Sequence, residues 1–229
     1  MFFALDIIVM ILAVVITLYA QIKVKNAFHT WSGVATRSGY TGFEVARQIL
    51  DQNDLQHVAV EPIRGNFSDH YDPSVKVIRL SEAVYAKSSV AAVSVAAHEC
   101  GHALQHQEDY GALVIRHRLV PFLNFTSGAA PILLLIGFFL QLSNLILVGI
   151  VFYLVTVVFH LVTLPVEFNA SSRAKQIIFS EGIIARDEEN GVQKVLNAAA
   201  FTYVAGALVA LIELGRFIFL YVLSQNNER

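Results

Sequence analysis

The residues with the most evident chemistry are His98-Glu99-Cys100-Gly101-His102, which fit the pattern H-E-x-x-H. On a helix, positions four apart project from one face, so two imidazoles at that spacing can bind a single Zn²⁺. Glu99 stands about 100° around the helix from His98. From there it reaches a water beside the metal without having to ligate it. A metal-acidified water and a carboxylate that takes its proton are the machinery of peptide hydrolysis. Catalytic zinc needs a third protein ligand. The longer motif H-E-x-x-H-x-x-G-x-x-H does not continue here, because its later positions hold Gln105 and Glu108. Glu108 and Asp109 follow too closely along the same helix to swing back. Glu167 is the better candidate, with a membrane-interface carboxylate as the alternative reading. It follows Pro165, a residue favoured in a first helical turn. Ala170, Ser171 and Ala174 around it would let its helix come close to the one bearing His98.

The elements that must position these residues follow from composition. The chain has 229 residues, 55% hydrophobic and only 15% charged, with a mean hydropathy of +0.57. Soluble domains carry about 25% charge. That gap argues against a purely soluble protein, and disorder, a collagen-like chain and a disulfide scaffold are excluded, the last because Cys100 is the one cysteine. Within the motif, Cys100 reads as a small helix residue. A net charge of −2 with no concentrated basic face argues against nucleic-acid binding.

Four apolar runs are long enough to cross a bilayer: Phe2–Tyr19, Phe122–Leu140, Asn144–Leu164 and Ala198–Leu223. The second and third are separated by residues 141–144 and should form a tight hairpin. The first carries Asp6 where a signal peptide would be basic, and reads as a retained anchor. Lys23, Lys25, Arg37, Arg116, Arg118, Arg173, Lys175, Arg186 and Lys194 all lie in the segments 21–120 and 165–197. Those segments should face the cytoplasm and both termini should face outward.

The expected organisation is an N-terminal anchor (1–20), a catalytic region with the motif helix (21–120), a transmembrane hairpin (121–164), a cytoplasmic helix with the third ligand (165–197) and a C-terminal transmembrane helix (198–229). Within 21–120, Thr41-Gly42-Phe43-Glu44 fits a capping box that opens a helix to about Gln52. His57–Ile63 and Val75–Leu80 read as strands, the second as a possible edge strand open to an extended peptide. Turn residues fill the interval between them. Ser81 should cap a short helix through Tyr85, and a longer helix should run from about Ser89 to Gln107. His70, Tyr71 and Arg173 are candidate substrate-binding or oxyanion groups, with turn or surface placement as the plainer alternative. His106 repeats the four-residue spacing and is read as a surface residue. Glu213 and Arg216, three apart in the last span, should neutralise each other.

Asp69-His70-Tyr71-Asp72-Pro73, Val77-Ile78-Arg79-Leu80-Ser81, His98–Ala103 and Pro165-Val166-Glu167-Phe168-Asn169-Ala170-Ser171 together resemble the bacterial YugP-like neutral zinc metallopeptidases. The resemblance covers most of the chain. More distantly the chain is similar to HtpX-like and CAAX prenyl endopeptidases. It implies His98 and His102 as zinc ligands, Glu99 as base and Glu167 as third ligand. Those distant relatives usually show E-x-x-A-D at the third ligand, and Ser171 stands here at the Asp position. The implied fold is mainly α: about four transmembrane helices with a cytoplasmic α+β zincin-like (gluzincin) region carrying a small β-sheet. The implied function is a zinc endopeptidase of the bacterial cytoplasmic (inner) membrane, acting on peptides or membrane-protein segments at the lipid bilayer. A non-proteolytic zinc-binding membrane regulator is the alternative. An ion transporter fits less well, since the motif lies outside the spans.

Overall fold

The computed structural model describes residues 2–227, with side chains over 6–225. Among the described residues, seven helices and three strands follow in the order α1 (Phe2–Ser32), α2 (Gly42–Gln52), β1 (Ala59–Ile63), β2 (His70–Asp72), β3 (Val77–Ser81), α3 (Glu82–Tyr85), α4 (Val90–Gln107), α5 (Gly111–Phe139), α6 (Ser143–Ser180) and α7 (Glu189–Asn227). The chain divides into two compact units.

The first unit comprises Met1–Ala20, Val114–Leu164 and Thr202–Arg229. It holds the apolar parts of α1, α5, α6 and α7, and all four helices are long and apolar enough to cross a membrane. Outward-facing side chains such as Ile11, Phe125, Leu135 and Val151 are more than half exposed, as expected of surface that lipid would cover. The predicted hairpin is present: α5 ends at Phe139 and α6 begins at Ser143. Glycines bring the two helices close, because a Cβ on Gly137 would stand 2.9 Å from the Ile146 backbone nitrogen and one on Gly149 would stand 3.1 Å from that of Leu134. The Glu213–Arg216 pair forms at 2.7 Å, and Asp6 joins it from α1 at 2.9 Å.

The second unit comprises Gln21–Leu113 and Pro165–Phe201. Its core packs Val45, Ala46, Ile49 and Leu50 of α2, Ile78 and Leu80 of β3, and the apolar face of α4 against Ala174 and Ile178 of α6. The capping box forms as the spacing predicts, with Thr41 accepting from the Glu44 amide and Glu44 accepting from the Thr41 amide. Ser89 caps α4 by accepting from the Ala92 amide. Ser81 does not cap α3; its hydroxyl and amide both donate to Asp69 instead.

The sheet has the order β1-β3-β2, with β1 parallel and β2 antiparallel to β3. The segment expected as an edge strand is therefore the central one, and four of its five residues are buried. The edge on the α4 side is β2, a three-residue strand within a stretch whose Gly, Asn and Asp content reads as turns. Pro165 does not open a helix either. It lies inside the continuous α6, where it removes one backbone donor. Long apolar helices tolerate that loss when their neighbours hold them.

Candidate metal centre

Helices α4 and α6 of the second unit build the centre. Gly101 lies on the α4 face that meets α6, and a Cβ there would come within 2.7 Å of the Ala170 carbonyl oxygen. Ala170 and Ala174 on α6 are fully buried. The small residues thus do what their pattern predicts, and the two helix backbones come nearly into contact.

This approach carries Glu167 between the two histidines. One carboxylate oxygen, Oε2, stands 3.3 Å from His98 Nε2 and 3.5 Å from His102 Nε2. One donor atom from each of the three residues can be chosen so that all lie within 4.8 Å of one another. Tetrahedral zinc with bonds of about 2.0–2.1 Å would separate its ligand atoms by about 3.3–3.4 Å. Two edges of the observed cluster match that spacing, and two imidazoles with one carboxylate form a donor set suited to zinc.

The far nitrogen of each ring is also engaged. His102 Nδ1 lies 3.0 Å from Gln105 Oε1. The Gln105 amide nitrogen donates to the Val166 carbonyl at 2.8 Å and to Asn169 Oδ1 at 2.9 Å. Those bonds set the amide's orientation, so its oxygen faces His102 and can only accept. When neutral, His102 then carries its proton on Nδ1, which leaves the Nε2 lone pair directed at the cluster. His98 Nδ1 meets Ser171 Oγ at 3.1 Å. Ser171 therefore occupies the position from which an Asp would hold the ring, and it does so through a hydroxyl. Gln105 and Ser171 are both buried.

Burial opposes charge on Glu167, which lies past the apolar run of α6, yet hydrogen bonds and charge from the two rings hold its carboxyl well below the ordinary range. Burial likewise opposes the imidazolium of His102, and Glu167 outweighs it, so that ring titrates above its usual value. Glu99 is 7% exposed, and its carboxylate enters no hydrogen bond or ion pair among the described residues. Cys100 points away from the cluster: its thiol is buried, and the nearest acceptor is the Ala46 carbonyl at 3.6 Å.

The remaining candidates sit elsewhere. Arg173 is held by a bidentate ion pair to Glu108 and donates through Nε to Asn169. That links it to the Gln105 relay, and the pair with Glu108 raises the guanidinium's affinity for its proton. His70 and Tyr71 lie on β2, which packs against α4. His70 Nδ1 contacts the Ser68 carbonyl at 2.7 Å. The Tyr71 hydroxyl meets His106 Nδ1 at 2.8 Å, and burial followed by the neighbouring Asp72 raises its pKa. His106, read from sequence as a surface residue, is half-buried in this pair. Sequence reasoning passed over Gln105 and Asn169 as positioning groups. The signal was available for Gln105, which stands three residues after His102 on the same helix face.

A family model described as "Putative neutral zinc metallopeptidase" matches residues 6–222. The chain is similar to the "Putative membrane protease YugP" of Bacillus subtilis (strain 168), 58% identical over 212 residues that cover 93% of this chain and 94% of the relative. No solved structure matches the chain. A convergent His98, His102 and Glu167 cluster on two close helices, four apolar helices and a match over nearly the whole length agree, and the chain belongs to the family "Putative neutral zinc metallopeptidase".

Proposed function

We propose that this chain is a membrane-anchored zinc endopeptidase that cleaves peptides or membrane-protein segments by general-base-assisted addition of water. The observation that carries the reading is the spacing of the three donor atoms, 3.3 and 3.5 Å from one shared carboxylate oxygen, beside a Glu99 whose carboxylate enters no hydrogen bond or ion pair among the described residues. His98, His102 and Glu167 would hold the metal in a gluzincin-like arrangement. Zinc, when bound there, supplies Lewis acidity toward a water and a peptide carbonyl.

The chain's own groups do the rest. Glu99 takes the proton from the attacking water and returns it to the leaving amine nitrogen as the C–N bond breaks. Gln105 keeps the His102 ring in the tautomer that leaves Nε2 unprotonated, and Ser171 orients the His98 ring. Strand β2 offers an edge to the backbone of an extended peptide, with His70 and Tyr71 on it. Arg173 acts through Asn169 and Gln105 and is a positioning residue. The distribution of Lys and Arg supports an active site on the cytoplasmic side of a bacterial cytoplasmic membrane, with segments 21–120 and 165–197 forming the catalytic part.

The test uses purified full-length protein and the Glu99→Gln variant. The variant should keep the wild-type content of about one zinc per chain and lose hydrolysis of a quenched peptide library by about 10²–10⁴-fold. Hydrolysis that survives in Glu99→Gln would remove Glu99 as the base. A wild type that holds zinc and cleaves nothing would favour the regulator.

A further inference from the structure

Beyond its apolar run, α1 continues unbroken to Ser32. Lys25, Phe28, His29 and Ser32 recur there at positions i, i+3, i+4 and i+7, so they share one helix face. That face forms one wall of a cleft of about 450 Å³, whose other walls come from Asn66 and Phe67 in the β1–β2 loop and from Ala83, Lys87 and Ser89. Two features set this cleft apart. No carboxylate lines it, and neither Lys25 nor Lys87 has an ion-pair partner among the described residues. Phe67 is 49% exposed and held at a φ of 57°, which L side chains rarely adopt, with its ring 4.9 Å from that of Phe28.

The depth of the cleft along α1 points to its occupant. Lys25 is five residues past Ala20, or about 7.5 Å of helix rise. The headgroup layer adds roughly 5–7 Å to each side of the hydrocarbon core. A lysine at this distance meets phosphates, and the exposed Phe67 packs on Phe28 about 4.5 Å of helix rise further out, an aromatic placement typical of the membrane interface.

We propose that the cleft between α1 and the β1–β2 loop binds the headgroup phosphate of an anionic phospholipid. Lys25 and Lys87 neutralise the phosphate, His29 and Asn66 hydrogen-bond the headgroup, and Phe67 rests on its apolar end. The inference rests on the reading that α1 enters a membrane, and not on which side the catalytic groups face or on whether the protein cleaves peptides.

The full-length protein in neutral detergent is titrated with phosphatidylglycerol or phosphatidylcholine, and bound lipid is counted by native mass spectrometry. Wild type should retain phosphatidylglycerol in preference to phosphatidylcholine. Each lysine near an anionic headgroup is worth about fivefold, so Lys25→Gln/Lys87→Gln should weaken that binding roughly 25-fold. Lys25→Arg/Lys87→Arg should retain it, and Lys76→Gln, outside the cleft, should be unchanged. Equal retention of the two lipids would overturn the proposal, as would an unaffected double Gln variant or a loss equally large in the Arg variant. Inorganic phosphate binding as tightly as phosphatidylglycerol would show a free-anion site and overturn the assignment to lipid.

Discussion

Gly101→Ala probes the whole construction of the metal centre with a single methyl group. The added Cβ would stand 2.7 Å from the Ala170 carbonyl oxygen and 3.1 Å from the Ala170 Cα. Both partners are backbone atoms of the fully buried Ala170, so no side chain can rotate out of the way. Restoring ordinary contact at about 3.3–3.5 Å requires α4 and α6 to part by roughly 0.6–0.8 Å. The Glu167 oxygen now lies 3.3 and 3.5 Å from the two ring nitrogens. The same displacement would stretch those distances toward about 4 Å, whereas metal sites tolerate errors of only about 0.2 Å per bond. Overpacking of this kind costs about 1–3 kcal/mol. Expressed through the site, that is roughly 5- to 150-fold in zinc affinity. The assay is competition against a zinc chelator with purified full-length protein, paired with thermal unfolding. Gly128→Ala is the control, since nothing lies within 4 Å of its added methyl. It should leave zinc affinity unchanged and stability equal or slightly higher. Wild-type zinc affinity and Tm in Gly101→Ala would refute the claim that the helices touch at this position.

Other perturbations read the neighbouring groups. Gln105→Ala removes the acceptor for His102 and the donor to the Val166 carbonyl; zinc affinity should fall about 10–100-fold. Ser171→Ala should fall less, roughly tenfold, because only His98 loses a partner, and Ser171→Asp should recover that loss; equal affinities across the series in the same chelator assay would show that the hydroxyl does not orient the ring. Arg216→Leu strands Asp6 and Glu213; thermal unfolding should reveal a loss of as much as about 3–5 kcal/mol, and a smaller one for Asp6→Asn. Hydrogen bonds from Ser74 and then Arg79 lower the Asp72 carboxyl to about 2. Its folded value lies below the unfolded one of about 3.9, so its stabilisation is complete above that value and disappears as pH falls through the folded one. The Tm difference between wild type and Asp72→Asn should therefore close between about pH 4 and 2, and a gap that widened there would contradict the sign.

Much of the local architecture was legible because it depends on neighbours in the chain. The capping box at Thr41 and Glu44, the helix start near Ser89, the four apolar helices and the hairpin near residue 142 all formed as the side-chain types require. Two places where local signals misled have physical causes. Pro165 marks a helix start only when nothing else sustains the helix, and α6 runs through it with Thr163 and Val166 buried on either side in the chain. The turn-rich residues around His70 pair with β3 because the partner strand supplies hydrogen bonds that local preference cannot anticipate.

By itself, the sequence determined that two imidazoles four residues apart share a helix face with a carboxylate beside them, since helix pitch sets that geometry. It also determined that small residues flank Glu167, which permits a close approach without specifying a partner. Only the tertiary structure decided that Gly101 meets Ala170, and that this contact brings Glu167 across 69 residues of chain to within 3.3 Å of His98. The roles of Gln105, Asn169 and Ser171 were decided there as well. Their amides and hydroxyl become ring-orienting groups only when two helices fix them at hydrogen-bond distance, and that distance depends on how the whole core fills its volume rather than on any local pattern.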